Sequence, residues 1–336
     1  RAPRRSEAMR GDGATRAASD RGTLRRDHRV RGVDDDAGRA RLRRATPCSN
    51  DPRGDTCIFG DHDALSTTRE EPRPIVKYVF IQDDPFFLPK VLDKYLREFA
   101  GSTAGIHVQP NNQGKRTLWE TAMALYDVYG LSYFQYKLGR YAVAKAKSKL
   151  VNGLLGSTRT CYSVAAVAKK YGVPVHVSDD VNAEPFRALL RDLGVELIVS
   201  VSGTQFYKKP LRAQTRLGII NCHGALLPKY RGLMPSFWTL ANGETMGGVS
   251  VHFVDDKLDN GPIVVRRSYR IHPNDTLEDV MARSKDLAAE CIIESVRLIE
   301  AGDPKLIDNP ASEASSYSMP KREDVERFRR NGHRFF

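Results

Sequence analysis

The sequence predicts an α/β fold with a doubly wound, mostly parallel sheet of the Rossmann-like type. Two observations carry this prediction. Short runs rich in β-branched and aromatic residues are typical of buried strands, most clearly at 75–81, 196–201 and 218–223. Segments with helical spacing lie between such runs, as at 182–193. Strands that alternate with helices favour a parallel sheet covered by helices on both faces.

The N-terminal part of this pattern begins with the first of these strands. We expect a helix at Leu88–Phe99 and a second strand at 105–109. The stretch 118–155 also has helical spacing. Glycine is unfavourable inside helices, so we expect interruptions at Gly130 and Gly139.

A further helix is expected before the short strand-like run 173–177. Ser157 or Thr158 can cap its first turn, since a hydroxyl oxygen can accept a hydrogen bond from a free backbone N–H. Gly172 lies where that helix has to end.

The C-terminal part of the pattern contains two extended segments, 249–254 and 263–269. A long helix follows. Asp275 or Thr276 can cap its start, and the helix is expected to continue to Ala301 with an apolar stripe along one face.

Domain organisation follows from changes in composition. Residues 1–73 are rich in Arg, Asp, Gly, Ala and Ser with few aromatics, so we expect a disordered segment or a gene-model extension. The α/β domain is predicted at 74–302. Residues 303–336 are predicted to form a C-terminal extension with a short helix at 321–330.

Composition limits the class of protein without choosing a function. The 53 lysines and arginines exceed the 41 acidic residues, and the formal net charge is +12. Such charge attracts anions such as phosphates and equally serves solubility. The five cysteines form no CxxC pair, which argues against a disulfide framework and against a zinc site. No apolar run approaches the roughly 18 residues of a membrane span. A cytoplasmic location without membrane attachment is expected.

Two polar side chains stand out at the end of the strand 218–223. Asn221 and His223 are two residues apart, so they point to the same face while Cys222 points to the other. Ligands of α/β proteins bind beyond the carboxyl ends of such strands. Taken alone, a polar pair at a strand end is more often ordinary turn chemistry than a catalytic site.

The surroundings of the pair form an ordered set of motifs. They are 221–232 (NCHGALLPKYRG), Pro235, Trp238, 242–244 (NGE), 248–254 (GVSVHFV) and 258–262 (LDNGP). This set resembles the formyltransferase family that uses 10-formyltetrahydrofolate, which includes methionyl-tRNA, glycinamide ribonucleotide and sugar N-formyltransferases. The resemblance is strongest at about 197–302 and looser from 75 onward.

The resemblance implies a catalytic trio and no metal. Asn221, His223 and Asp259 occupy the positions of the family's Asn, His and Asp. An amide or an imidazolium can donate hydrogen bonds to the oxyanion that forms when an amine attacks a formyl carbon. A carboxylate can raise the pKa of the histidine and accept the proton of the amine. Asp255 and Asp256 are rivals of Asp259, but solvated turn carboxylates are the simpler interpretation of both.

The resemblance also implies two loops that contact the formyl donor. Their residues are Ser202, Gly203, Thr204, Gln205 and Phe206 in the first loop, and Val254, Asp255, Asp256 and Lys257 in the second. The first loop can equally be an ordinary strand-to-helix turn in which Gly203 supplies backbone freedom. Lys229 and Arg231 can meet an acceptor phosphate or simply be exposed basic residues. His252 is interpreted as a structural strand residue.

The implied reaction moves a formyl group from 10-formyltetrahydrofolate to a primary amine. A small phosphorylated acceptor is expected, with an amino-sugar nucleotide as the first choice. tRNA is an unlikely partner on this view, since 303–336 is too short for the C-terminal barrel with which methionyl-tRNA formyltransferase holds tRNA. A homodimer is a family-level expectation.

Several alternatives stay open at this point. Methionyl-tRNA and glycinamide ribonucleotide are alternative acceptors. A formyltetrahydrofolate hydrolase would use the same kind of trio with water as the acceptor. A basic nucleic-acid-binding protein without enzymatic activity is the alternative from a different class.

Overall fold

A seven-stranded sheet forms the centre of the described structure. The computed structural model describes residues 74–109, 120, 123, 126, 129–157 and 160–336, all within the unit Thr68–Phe336. The prediction for 1–73 and part of the prediction for 118–155 lie outside the described residues. The strands are β1 (Lys77–Gln82), β2 (Thr103–Gln109), β3 (Val175–His176), β4 (Leu197–Val201), β5 (Ile219–His223), β6 (Arg231–Gly232), β7 (Met246–Phe253), β8 (Ile263–Arg270) and β9 (Ser316–Tyr317).

The sheet has the order β3-β2-β1-β4-β5-β7-β8. The first five of these strands run parallel, whereas β7 pairs antiparallel with both β5 and β8. The predicted fold class, α/β with a mostly parallel sheet, is therefore confirmed. β6 and β9 form a separate two-stranded parallel ladder.

Helices connect and cover these strands. They are α1 (Leu88–Phe99), α2 (Leu131–Lys147, continued by a π-helical segment Ser148–Leu154), α3 (Val164–Lys170), α4 (Glu184–Asp192), α5 (Lys209–Arg212), α6 (Pro235–Ala241), α7 (Leu277–Glu300) and α8 (Arg322–Arg330). Short 3₁₀ turns lie at Ala100–Ser102 and Ala311–Glu313. Within the described ranges, no helix is long and apolar enough to cross a bilayer.

Alternation along β4 shows how helices cover both faces of the sheet. Leu197, Val199 and Val201 pack into a core with residues of α1, α3 and α7. Ile198 packs into a second core with residues of α4 and α5. Because the side-chain period of a strand is two, the neighbouring Ser200 lies on the same face as Ile198.

One predicted helix start and one predicted helix interruption were wrong. Helix α3 begins after Ser163, whose hydroxyl oxygen accepts the N–H of Ala166 at 3.2 Å, rather than after Ser157 or Thr158. Serine and threonine recur in this stretch, so composition alone does not select the cap. Gly139 lies inside α2 without breaking it. A Cβ there would meet nothing within 4 Å, so this glycine costs only its helix propensity, about 1 kcal/mol. Gly130, with φ of 81°, directly precedes α2.

The start of α7 is a capping box at the predicted position. The Thr276 hydroxyl oxygen accepts the N–H of Asp279 at 3.2 Å, and Asp279 Oδ2 accepts the N–H of Thr276 at 2.9 Å. The hydrogen bonds from Thr276 lower the pKa of Asp279. Two otherwise free donors of the helix terminus are thereby satisfied.

Replacing Thr276 by alanine is expected to lower the free energy of unfolding by about 1 kcal/mol, since one helix-terminal N–H loses its acceptor. Urea denaturation of Thr276→Ala measures this change, and Thr276→Ser is the matched control because it keeps the hydroxyl. Equal stability of the alanine variant and the wild type would contradict the capping role.

Candidate active site

A cavity of about 410 Å³ opens at the carboxyl ends of the central strands. Gln82 at the end of β1, Ser202 just after β4, and Asn221 and His223 at the end of β5 all line it. The chain leaves β1 toward β2 on one side and later enters β4 on the other, so the cavity lies at a topological switch point. Its volume is within the range of small-molecule sites.

The predicted trio converges on this cavity. Asn221 and His223 lie on β5, and Asp259 lies in the loop between β7 and β8. Nδ1 of His223 is 3.5 Å from Oδ2 of Asp259. Both side chains are buried, whereas Cys222 packs into the core on the opposite face of the sheet. His223 and Asp259 are therefore close enough to act together and Asn221 lines the same cavity, while the catalytic roles of all three stay predictions.

Asp259 is held as a carboxylate. Burial by itself raises its pKa, but the neighbouring His223 and His252 rings and the N–H of Gly232 outweigh burial and hold the pKa well below its usual range. The N–H of Gly232 donates to Oδ2 at 2.8 Å. The Asn309 side-chain amide donates to the backbone carbonyl of Asp259 at 2.9 Å. The carboxylate is thus positioned from both its side chain and its backbone.

His223 has a defined proton arrangement. Its Nε2 lies 2.7 Å from the carbonyl oxygen of Tyr230, which can only accept, so Nε2 carries a hydrogen. Burial lowers the pKa of His223, while the Asp259 carboxylate and the Tyr230 carbonyl act in the opposite direction. The uncharged ring therefore presents a bare Nδ1 beside Asp259. A proton that arrives at Nδ1 creates an imidazolium between two acceptors.

The Asn221 amide is fixed on both sides. Its Oδ1 accepts the Ser200 hydroxyl at 2.9 Å, and its Nδ2 lies 3.4 Å from Nε2 of His252. Nε2 of His252 is also 3.4 Å from Oδ1 of Asp259. His252 is thus a member of the constellation, which the sequence interpretation missed. The only signal that could have found it is the strand pairing, in which Asn221 lies opposite His252.

Left-handed backbone is concentrated around this site. Among the described residues, four non-glycine residues have positive φ, namely Ser202 (55°), Tyr230 (61°), Met234 (55°) and Asp259 (46°). Ser202, Met234 and Asp259 line the cavity, and Tyr230 supplies the carbonyl that orients His223. Non-glycine residues rarely adopt this conformation, and those that do cluster at functional sites.

The two predicted donor loops differ in position. Ser202, Gly203 and Thr204 line the cavity. Gln205 instead accepts the N–H of Val181 at 3.1 Å, and the Phe206 side chain is 74% exposed. Only the first part of this loop therefore faces the cavity.

The second predicted loop lies outside the cavity lining. Val254 packs against the core that contains Tyr207. Asp255 accepts the side-chain amide of Asn260 at 2.6 Å, and Asp256 pairs with Arg212. Contact of residues 254–257 with a formyl donor stays a prediction.

Basic residues at the cavity are not those that the sequence suggested. Lys229 is exposed and does not line the cavity, and the Arg231 guanidinium is buried against Asn260 and Asn309, at 2.8 and 2.9 Å. Lys137 and Lys285 line the cavity instead. Both come from helices far along the chain from β5, and no motif marked them.

The C-terminal residues brace the loop that carries these contacts. β9 pairs with β6, and the N–H of Leu233 donates to the Tyr317 carbonyl at 2.9 Å. The Tyr317 ring stacks on Tyr230 with centroids 5.4 Å apart and on Trp238 at 4.6 Å. The loop with the Tyr230 carbonyl and the Gly232 N–H is thereby held in place. Within the described part of the chain, no three His, Cys, Asp or Glu side chains are grouped to share a metal ion.

A family model described as formyl transferase matches residues 146–296. The chain resembles the formyl transferase family. This match confirms the resemblance that the motifs predicted, and it covers β5 with Asn221 and His223 and the loop with Asp259.

Curated relatives share the same segment. The formyl transferase-like chain is 33% identical over 159 residues to methionyl-tRNA formyltransferase of Anaeromyxobacter sp. (strain K), covering 47% of this chain and 51% of the relative. It is 37% identical over 139 residues to methionyl-tRNA formyltransferase of Geobacter metallireducens, covering 41% and 45%. The chain thus spans about half the length of the curated relatives it matches.

Solved structures give weaker likenesses. Phosphoribosylglycinamide formyltransferase from Anaplasma phagocytophilum aligns with a TM-score of 0.48 and 18% identity, over 73% of this chain and 99% of that chain. A sugar 3N-formyl transferase crystallised with dTDP and 5-N-formyl-THF aligns with a TM-score of 0.47 and 15% identity, over 73% and 70%. These scores are too low to decide an activity.

Proposed function

We propose that the protein transfers a formyl group from 10-formyltetrahydrofolate to a primary amine. The observation that carries this proposal is the convergence of Asn221, His223 and Asp259 on one cavity, within the segment that matches the formyl transferase family. The cavity offers an amide donor, a bare imidazole nitrogen and a carboxylate. These are the groups that amine attack on a formyl carbon requires.

Each residue has a distinct task in this reaction. The Asn221 N–H donates to the formyl oxygen while negative charge develops on it. His223 accepts the proton of the attacking amine at Nδ1, and the Asp259 carboxylate stabilises the imidazolium. The new C–N bond to the acceptor replaces the bond between the formyl carbon and the folate nitrogen. The His223 proton is then returned to that nitrogen.

The walls of the cavity fit a folate-type donor in chemical character. Ser202, Gly203 and Thr204 present polar groups and backbone at one side, while Phe86 and Met281 present apolar surface. A bicyclic heteroaromatic ring needs both kinds of contact. The first part of the first predicted loop, residues 202–204, is therefore our candidate for donor binding.

The acceptor that we favour is an amino-sugar nucleotide. Nζ of Lys285 donates to the Ser202 hydroxyl at 2.6 Å, and among the described residues no carboxylate pairs with it. A cation in a cavity without an acidic partner suits a phosphate group of the acceptor. Lys137 adds a second positive charge, although Glu278 pairs with it at 2.9 Å.

Methionyl-tRNA is the second candidate acceptor. The curated relatives that match this chain bear the name methionyl-tRNA formyltransferase. An aminoacyl-tRNA also presents a primary amine close to phosphates, so the lysines fit both candidates. Only direct assay separates the two.

The decisive assay measures release of tetrahydrofolate from 10-formyltetrahydrofolate. Amino-sugar nucleotides, glycinamide ribonucleotide, methionyl-tRNA and no acceptor are compared for the wild type and Asn221→Ala. Asp303→Asn, which changes an exposed carboxylate outside the cavity, is the control. Acceptor-dependent turnover that Asn221→Ala lowers about 100- to 1,000-fold supports the proposal and names the acceptor. Turnover without any acceptor favours a hydrolase, and absence of folate binding contradicts the proposal.

The pH dependence of turnover is expected to have an acid limb with a midpoint below 6.5, the ordinary pKa of histidine, because burial lowers the pKa of His223. Turnover needs the uncharged ring, so the rate falls as pH decreases through this pKa. Asp259 acts to raise the His223 pKa, so Asp259→Asn is expected to move the midpoint to still lower pH. A profile of kcat/KM against pH measures both values. An acid midpoint above 6.5 would contradict a buried, uncharged His223.

A further inference from the structure

A buried chain of hydroxyl groups ends on the side-chain amide of Asn221. The Tyr207 hydroxyl lies 2.8 Å from the Ser200 hydroxyl, which in turn donates to Asn221 Oδ1 at 2.9 Å. Ser200 is fully buried and Tyr207 nearly so. Neither residue lines the cavity, so neither is placed to touch a ligand there.

The direction of these hydrogen bonds follows from the inventory of donors. Asn221 Oδ1 can only accept, so Ser200 uses its single O–H on it. The Ser200 oxygen then accepts the O–H of Tyr207. Burial raises the pKa of Tyr207 to about 12, so this hydroxyl keeps its proton at neutral pH.

His252 complements the chain from the other end of the amide. Its Nδ1 lies 2.8 Å from the Phe253 carbonyl, which can only accept, so Nε2 is bare in the uncharged ring. That bare nitrogen can accept a hydrogen from Asn221 Nδ2 at 3.4 Å. Both contacts therefore favour the same orientation of the amide.

Gly203 connects this chain to the cavity wall. A Cβ at this position would lie 2.3 Å from the Tyr207 hydroxyl oxygen and 2.8 Å from the Ser200 hydroxyl oxygen. Gly203 is not among the glycines with positive φ, so it is needed for space rather than for backbone freedom. The loop that walls the cavity therefore packs directly on the hydroxyl chain.

We infer that Tyr207 and Ser200 are positioning residues that set which end of the Asn221 amide the site presents. With Ser200 bound to Oδ1, the N–H end lies on the side of His252 and Asp259. A rotated amide would turn its carbonyl oxygen toward the developing oxyanion and repel it. The orientation is a property of the protein alone, and its consequence for turnover rests on the proposed function.

The first test reads the orientation without any turnover. In the full-length protein, the Asn221 side-chain amide is followed by ¹H–¹⁵N NMR and assigned by its loss in Asn221→Ala. Tyr207→Phe and Ser200→Ala are both expected to shift this resonance, and Tyr207→Phe retains the ring that fills the core. Tyr78→Phe is the matched control, since Tyr78 is a buried tyrosine of the same core whose hydroxyl binds His176 at 2.8 Å. An Asn221 resonance unchanged in both variants would overturn the inference.

The second test reads the consequence for catalysis. An oxyanion donor is worth about 100- to 1,000-fold in rate. Because His252 still favours the correct orientation, Ser200→Ala is expected to lower kcat about tenfold while KM for the donor changes less than twofold. In the Asn221→Ala background the same substitution is expected to cause no further loss. An equal tenfold loss in that background would indicate a general structural effect and overturn the inference.

The two tests separate this inference from the proposed function. If the wild type shows no formyl transfer with any acceptor, the proposed function fails while the NMR experiment still decides the orientation. If turnover is present but the amide resonance does not respond, the proposed function stands and the positioning role fails.

Discussion

Replacing Asp259 by asparagine is expected to reduce formyl transfer at least about 100-fold with little loss of stability. The amide oxygen of asparagine can keep the hydrogen bond from Gly232 N–H, which spans 2.8 Å in the wild type. What is lost is the negative charge 3.5 Å from Nδ1 of His223. Without that charge, the buried imidazolium that forms during amine attack has no counter-ion.

The measurement is the rate of tetrahydrofolate release with the best acceptor, together with a thermal unfolding curve for each variant. Asp303→Asn, at an exposed position, is expected to retain wild-type turnover. A rate for Asp259→Asn within a few-fold of the wild type would remove the carboxylate from the mechanism. A large drop in unfolding temperature would instead assign Asp259 a structural role.

Replacing Gly232 by alanine is expected to lower the free energy of unfolding by about 3 kcal/mol and to abolish most turnover. Gly232 has φ of 98°, and a Cβ there would lie 2.2 Å from the backbone carbonyl oxygen of Tyr317. Relief of that overlap requires β6 and β9 to separate. Since the Gly232 N–H donates to Asp259, the same movement displaces the carboxylate.

Urea denaturation and the turnover assay together check this result. Gly139→Ala is the matched control, because a Cβ at Gly139 meets nothing within 4 Å inside helix α2. That substitution is expected to stabilise the protein by about 0.5–1 kcal/mol through helix propensity. A Gly232→Ala variant with wild-type stability would show that the ladder between β6 and β9 does not hold the site.

Through this ladder the C-terminal residues hold the loop that positions His223 and Asp259, and no pattern in their sequence predicts this role. Tyr317 approaches Gly232 through its carbonyl and stacks on the ring of Tyr230, which orients His223. β9 has only two residues, Ser316 and Tyr317, and is too short to give a periodic signal. Its pairing with β6, about 85 residues earlier, depends on the tertiary structure.

The sequence by itself determined the seven strands of the central sheet, most of the longer helices and two members of the candidate trio. Strand period alone places Asn221 and His223 on one face at the end of β5. Thr276 marks the start of α7 because it can form a local capping box. Such signals are local because backbone geometry repeats every two or 3.6 residues. The motif around Asp259 supplied the third member only through resemblance to a family.

Tertiary structure decided the rest of the site. His252 joins Asn221 because β5 and β7 pair in one register, and Lys285 enters the cavity because α7 packs across the sheet. The sequence does not distinguish Ser200 from the other buried residues of β4, and only its hydrogen bond with Tyr207 shows a specific role. Strand register and helix docking depend on burial summed over the whole core, so no short stretch of sequence contains them.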